Sequence, residues 1–172
     1  MGRTLARLCT DYLGVIALMS LRISVHTVGL SRCLLPRKLL SGSVRFVLEH
    51  EGVGAATVRI ILADDATMQE LNRRYLQHDY PTDVLTFVLE TAPLEVEIYI
   101  GAEQAARQAA EYGVPVREEY VRLSIHGILH ALGYDDQTPA QRHAMEARQE
   151  HYLRHYLGEH PAADTASGAA SP

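Results

Sequence analysis

Between Leu21 and Tyr112 the chain alternates two hydrophobic rhythms, and after Pro115 only one of them continues. Apolar residues at every second position bury one face of a strand, whereas spacings of three and four bury one stripe of a helix, so this order limits which layers can form. LRISVHTV (21–28) reads as a first strand, and Arg37 to His50 carries Leu39, Leu40, Val44, Val47 and Leu48 at helical spacing. TVRIIL (57–62) is β-branched enough for a buried strand, and Asp64 or Asp65 can cap a helix with Met68, Leu71 and Tyr75 on one side. Pro81 and Thr82 interrupt the chain before VLTFVL, Pro93 interrupts it again, and EVEIYIG alternates before a helix from Ala102 to Tyr112 that ends at Gly113. Two helices follow, Arg117 to Leu132 and Pro139 to Leu157, separated by GYDDQ; Thr138, Pro139 and Gln141 make a capping box and Gly158 supplies the stop. The expectation is an α+β fold: a single domain with a mixed four-stranded sheet and about five helices, its chemistry on a C-terminal helix and the turn after it.

A length of 172 residues, 47% of them apolar, suits one core rather than two. The net charge of −5 excludes a protein that coats nucleic acid by charge alone, so any RNA contact must be local. Cys9 and Cys33 form no CxxC and have no partner histidine nearby, which fits a reducing cytoplasm. Residues 1–20 imitate a signal peptide poorly, because Asp11 precedes a short apolar run with no small-residue cleavage site. They are read as an N-terminal extension, either ordered or an over-long gene start with Met19 as the true start. A domain over residues 21–158 and a disordered tail over 159–172, rich in Ala, Ser, Gly and Pro, complete the division.

The segment HGILHALGYDD, from His126 to Asp136, carries the chemistry. Helical residues four apart share a face, so His126 and His130 can aim both imidazoles at one ion. Gly133 can end the helix in a left-handed conformation and turn the chain back, bringing Asp135 or Asp136 towards the same point. Three protein ligands leave one position open, as in catalytic zinc sites, where a coordinated water is acidified towards neutral pH. The competing reading makes the histidines core groups and the aspartates a helix cap, with His143, Glu146 and Glu150 on a solvated face of the next helix.

The same segment is close to HGxLHxxGYDH, and MQELNRRYLQHDYPTDVLTF (68–87) contains LNxxY and PTDVLTF; with EIYIG as a third block, the chain resembles the YbeY family of endoribonucleases from about Ile23 to Leu157. The resemblance implies a single-strand-specific, metal-dependent endoribonuclease acting in ribosomal RNA maturation, above all of the small-subunit RNA, and in ribosome quality control. It implies one Zn2+ per chain. Its partners would be single-stranded RNA and rRNA, the ribosome or small-subunit proteins and an assembly GTPase, with neither membrane nor DNA among them.

Two departures stand out. The family's third ligand, usually histidine, aligns with Asp136, whose carboxylate is an acceptable zinc donor but favours harder ions such as Mn2+. The family arginine after the LNxxY tyrosine, expected on RNA phosphate, is Leu76 here; Arg73, Arg74 or His78 are the candidates to replace it, against a surface salt-bridging role for the arginines. Asp135 is a candidate catalytic group.

Two other readings compete. A metallopeptidase of similar signature needs a glutamate directly after the first histidine, where this chain has Gly127. A non-catalytic assembly factor, with metal tying the turn together, would call for a fourth ligand such as His143.

Overall fold

A computed structural model of the chain describes residues 20–30 and 35–160. Most of the N-terminal extension, both cysteines and most of the tail lie outside the described residues.

The elements follow the expected order. Strand β1 is Leu21–Val28, helix α1 Arg37–His50, β2 Ala56–Ala63, α2 Asp65–Leu76, β3 Val84–Thr91 and β4 Leu94–Gly101; α3 is Ala102–Tyr112, α4 Val116–Ala131 and α5 Pro139–Glu159. The sheet runs β1-β2-β4-β3, with β1, β2 and β4 parallel and β3 antiparallel to β4, so the mixed four-stranded sheet and five helices are present among the described residues. Among the described residues no helix is long and apolar enough to cross a membrane.

Alternation along the central strands decides the two faces. Val58, Ile60 and Leu62 on β2, with Val96, Ile98 and Ile100 on β4, are fully buried in the main core with α1, α4 and α5. Their neighbours Arg59, Glu95 and Glu97 point the other way, where Arg59 bonds Glu95 at 2.6 Å and Glu97 at 3.4 Å. Helix α2 covers the far part of this second face, packing Met68 and Leu71 with Leu85, Phe87 and Tyr99.

Helix α4 is buried on nearly every side, from Glu119 to Leu129, because it lies in the core between the sheet and its helical neighbours. Gly127 sits directly against the sheet. A Cβ there would lie 2.6 Å from Ile98 Cγ2 and 2.9 Å from Thr86 Oγ1. This contact fixes how α4 passes over β3 and β4, and thereby where its last turn projects.

Candidate metal centre

His126 and His130 occupy the last turns of α4, and the local sequence then reverses the chain. Gly133 takes φ 94°, its N–H donates to His130 O at 3.0 Å, and Tyr134 N–H donates to Leu129 O at 3.1 Å. This pair of bonds closes the orphan carbonyls of the helix end around a left-handed residue, as a glycine at this position permits. The reversed segment runs to Thr138, which caps α5 reciprocally: Gln141 N–H donates to Thr138 Oγ1 and Gln141 Oε1 accepts from Thr138 N–H at 3.0 Å.

The reversal brings Asp136 beside the histidines. His126 Nε2 and His130 Nε2 are 3.1 Å apart, and Asp136 Oδ2 is 3.9 Å from His130 Nε2. One donor atom from each of the three residues lies within 4.8 Å of the others, and the group stops at these three among the described residues. His143 is exposed and outside it.

The other ring nitrogens show which form the histidines take. His126 Nδ1–H donates to Gln149 Oε1 at 2.9 Å, and His130 Nδ1–H donates to the Tyr134 carbonyl at 3.0 Å. Each bond places the proton on Nδ1 and leaves a lone pair on Nε2. Two lone pairs facing each other at 3.1 Å repel unless a cation stands between them. Burial lowers the His126 pKa from the ordinary histidine value. Two nitrogens on a tetrahedral zinc at about 2.0–2.1 Å stand roughly 3.3 Å apart, close to the separation seen. The residues present fit a divalent metal.

These groups line a cleft of about 870 Å³ whose opposite wall is the start of β3 and the end of α2. Asp83, Asp135 and Asp136 contribute negative charge, and among the described residues lining the cleft there is no lysine or arginine. Asp135 Oδ1 accepts from Asp136 N–H at 2.8 Å, so Asp135 braces the turn and borders the cleft without joining the ligand group.

The candidate RNA contacts separate. His78 and Leu76 line the cleft. Arg73 pairs with Glu70, Arg74 stands 5.6 Å from the centre of the Tyr75 ring, and neither lines it. Asn72 of LNxxY is buried and structural: its Nδ2 donates to Tyr80 O at 2.8 Å and its carbonyl accepts from His78 N–H at 3.4 Å.

Sequence reasoning missed Gln149, having considered His143, Glu146 and Glu150 instead. The signal was a polar residue inside the buried stripe Met145, Gln149, Tyr152, Tyr156 of α5. Such a residue has to find a partner, and here the partner is His126.

A family model described as Endoribonuclease YbeY matches residues 35–157. Among curated proteins, Endoribonuclease YbeY of Chlorobium chlorochromatii is 35% identical over 133 residues, covering 77% of this chain and 85% of the relative. That of Persephonella marina is 41% identical over 105 residues, covering 58% and 69%. A solution structure of a Thermotoga maritima protein aligns with a TM-score of 0.59 at 29% identity, over 86% of this chain and 99% of its own. With a match of this extent to the family model and to its curated members, the chain belongs to the Endoribonuclease YbeY family.

Proposed function

We propose that the protein is a metal-dependent endoribonuclease of single-stranded RNA, with its metal held by His126, His130 and Asp136. The observation that carries this reading is the convergence of two Nε2 lone pairs and a carboxylate on one point in the wall of an acidic cleft. Membership of the family supplies the substrate class: its curated members are named endoribonucleases.

Zinc is the metal proposed, with Mn2+ a second candidate because Asp136 adds a hard, anionic donor. When bound, such an ion acts as a Lewis acid towards phosphoryl oxygen and lowers the pKa of water. The chain's own residues do the rest. Gln149 and the Tyr134 carbonyl hold the two imidazoles in the ligand tautomer. Asp135 is the candidate to hold a proton of water or of the RNA 2′-OH at its carboxylate. A metal group recessed in the cleft wall favours a flexible strand over a rigid duplex.

By family resemblance the process served is maturation of ribosomal RNA in the cytoplasm, with small-subunit proteins and an assembly GTPase as partners. The catalytic unit proposed is residues 21–158, with the segments on either side dispensable for cleavage.

The metallopeptidase reading loses its base at Gly127, where the sheet leaves no room for a side chain. The assembly-factor reading lacks its fourth ligand among the described residues.

The test measures bound metal by mass spectrometry and cleavage of single-stranded and duplex RNA in wild type, His126→Ala and Asp136→Ala. Expected are stoichiometric metal and single-strand cleavage in wild type, with both lost in each variant. Metal retained by Asp136→Ala would remove Asp136 from the ligand set, and equal cutting of perfect duplex would overturn the substrate assignment.

A further inference from the structure

The cleft presents a problem for any RNA. A phosphodiester entering it meets three aspartates and, among the described lining residues, neither lysine nor arginine. A bound divalent ion can neutralise the phosphate at the reaction centre, and outside the lining one exposed guanidinium, Arg142, donates to the Asp136 carbonyl at 3.2 Å. On the neighbouring helix Arg73 pairs with Glu70 at the surface and Arg74 lies over Tyr75, and neither lines the cleft.

What the cleft mouth offers instead is aromatic surface. The rings of His78 and Tyr80 lie nearly parallel, 12° between planes and 5.4 Å between centroids. His78 lines the cleft, while Tyr80 stands beside it and is 55% exposed. The short loop carrying both rings is tied down at two points of α2. Asn72 Nδ2 donates to the Tyr80 carbonyl at 2.8 Å, and Gln69 Nε2 donates to Asp79 Oδ1 at 3.0 Å. Gln77 adds a left-handed residue, φ 61°, at the turn out of the helix. An exposed tyrosine held by its own backbone in a fixed stack loses little conformational freedom when a flat ligand settles on it.

We propose that His78 and Tyr80 form a base-stacking platform at the mouth of the metal cleft, on which one unpaired RNA base settles against Tyr80 while the adjoining phosphodiester reaches the metal group. This rests on the endoribonuclease reading and deepens it: the strand is held by base faces rather than by phosphate charge. A paired base inside a duplex has no free face to offer, so the platform also selects for unpaired RNA. Because few counterions are displaced, binding depends weakly on salt.

The experiment uses the full chain and a fluorescein-labelled single-stranded oligoribonucleotide of about 12 nucleotides. Binding is read by fluorescence anisotropy with chelator present, so that it does not depend on cutting, and KM and kcat are read separately with metal. Stacking on one aromatic ring contributes about 1–3 kcal/mol per base, so Tyr80→Ala is expected to weaken binding and raise KM by about 5- to 150-fold. The loss falls on KM rather than kcat, and Tyr80→Phe, which keeps the ring, stays close to wild type. Scanning a single abasic nucleotide along the oligomer is expected to find one position where wild type drops to the level of Tyr80→Ala.

Unchanged affinity in Tyr80→Ala overturns the platform, as does a Tyr80→Phe as weak as the alanine variant, or an abasic scan with no sensitive position. If wild type binds the oligomer through Tyr80 but never cuts it, the platform stands and the endoribonuclease reading fails. A wild type that neither binds the oligomer in the anisotropy arm nor cuts it with metal defeats both.

Discussion

Gln149 shows how one buried amide sets the chemistry of a residue far from it in sequence. Its Oε1 is the acceptor for His126 Nδ1–H, and it is 6% exposed. Gln149→Leu keeps the packing but removes the acceptor, freeing the imidazole to rotate or change tautomer. Metal affinity is expected to fall by about 10- to 100-fold, measured by competition against a chromophoric chelator, with little change in the urea midpoint. The histidines themselves were legible in the sequence because a four-residue helical spacing is a local property. Gln149 was not, because its pairing depends on how α5 lies across α4. The same distinction applies to Gly127: its identity argued against a peptidase, but the reason a side chain is excluded, Ile98 and Thr86 on the sheet, is tertiary.

Element boundaries followed their local chemistry closely. The span of α1, the cap of α2 by Asp64 through Thr67 N–H at 2.9 Å, the end of α3 at Gly113 and the capping box of α5 are all as expected, since each is set within a few residues. The differences have identifiable causes. Helix α5 runs through Gly158 to Glu159, because a glycine stops a helix only where it turns left-handed, and Gly158 does not. Tyr75, expected on the buried side of α2, is 54% exposed and meets only the rim of the second cluster, its ring 5.0 Å from Phe87. At Gly133 the left-handed turn is real and positions both Tyr134 and Asp136. Gly133→Ala is expected to cost about 1–2 kcal/mol in denaturant unfolding and to weaken metal binding as well. Gly133→Asn, which tolerates this conformation, is expected to recover part of both.

Across the whole molecule, Glu51 ties three separate parts together. Following the end of α1, its carboxylate accepts from Tyr152 Oη–H at 2.7 Å and Arg148 Nε–H at 2.9 Å on α5, and from Tyr134 Oη–H at 3.2 Å on the turn. Burial alone would push its pKa up, but the bonds from Tyr152, Arg148 and Tyr134 outweigh this and hold it below the ordinary glutamate value. Tyr152 is pushed up to about 12 by burial and by the same carboxylate. A depressed carboxylate pKa stabilises the folded state fully above the unfolded value, about 4.3, and the contribution disappears as the pH falls through the lower folded value. Glu51→Gln is therefore expected to lower unfolding free energy by about 1–3 kcal/mol at neutral pH, with the gap to wild type closing below about pH 4 in urea titrations. The order of elements adds a consequence for synthesis. All four strands precede His126 in the chain, and the three metal donors fall within one short stretch after them. A nascent chain emerging from its N-terminus therefore has all four strand segments before it has any of these three side chains. The candidate metal group is the last part of the cleft to be synthesised, and it is complete only once the turn after α4 has been made.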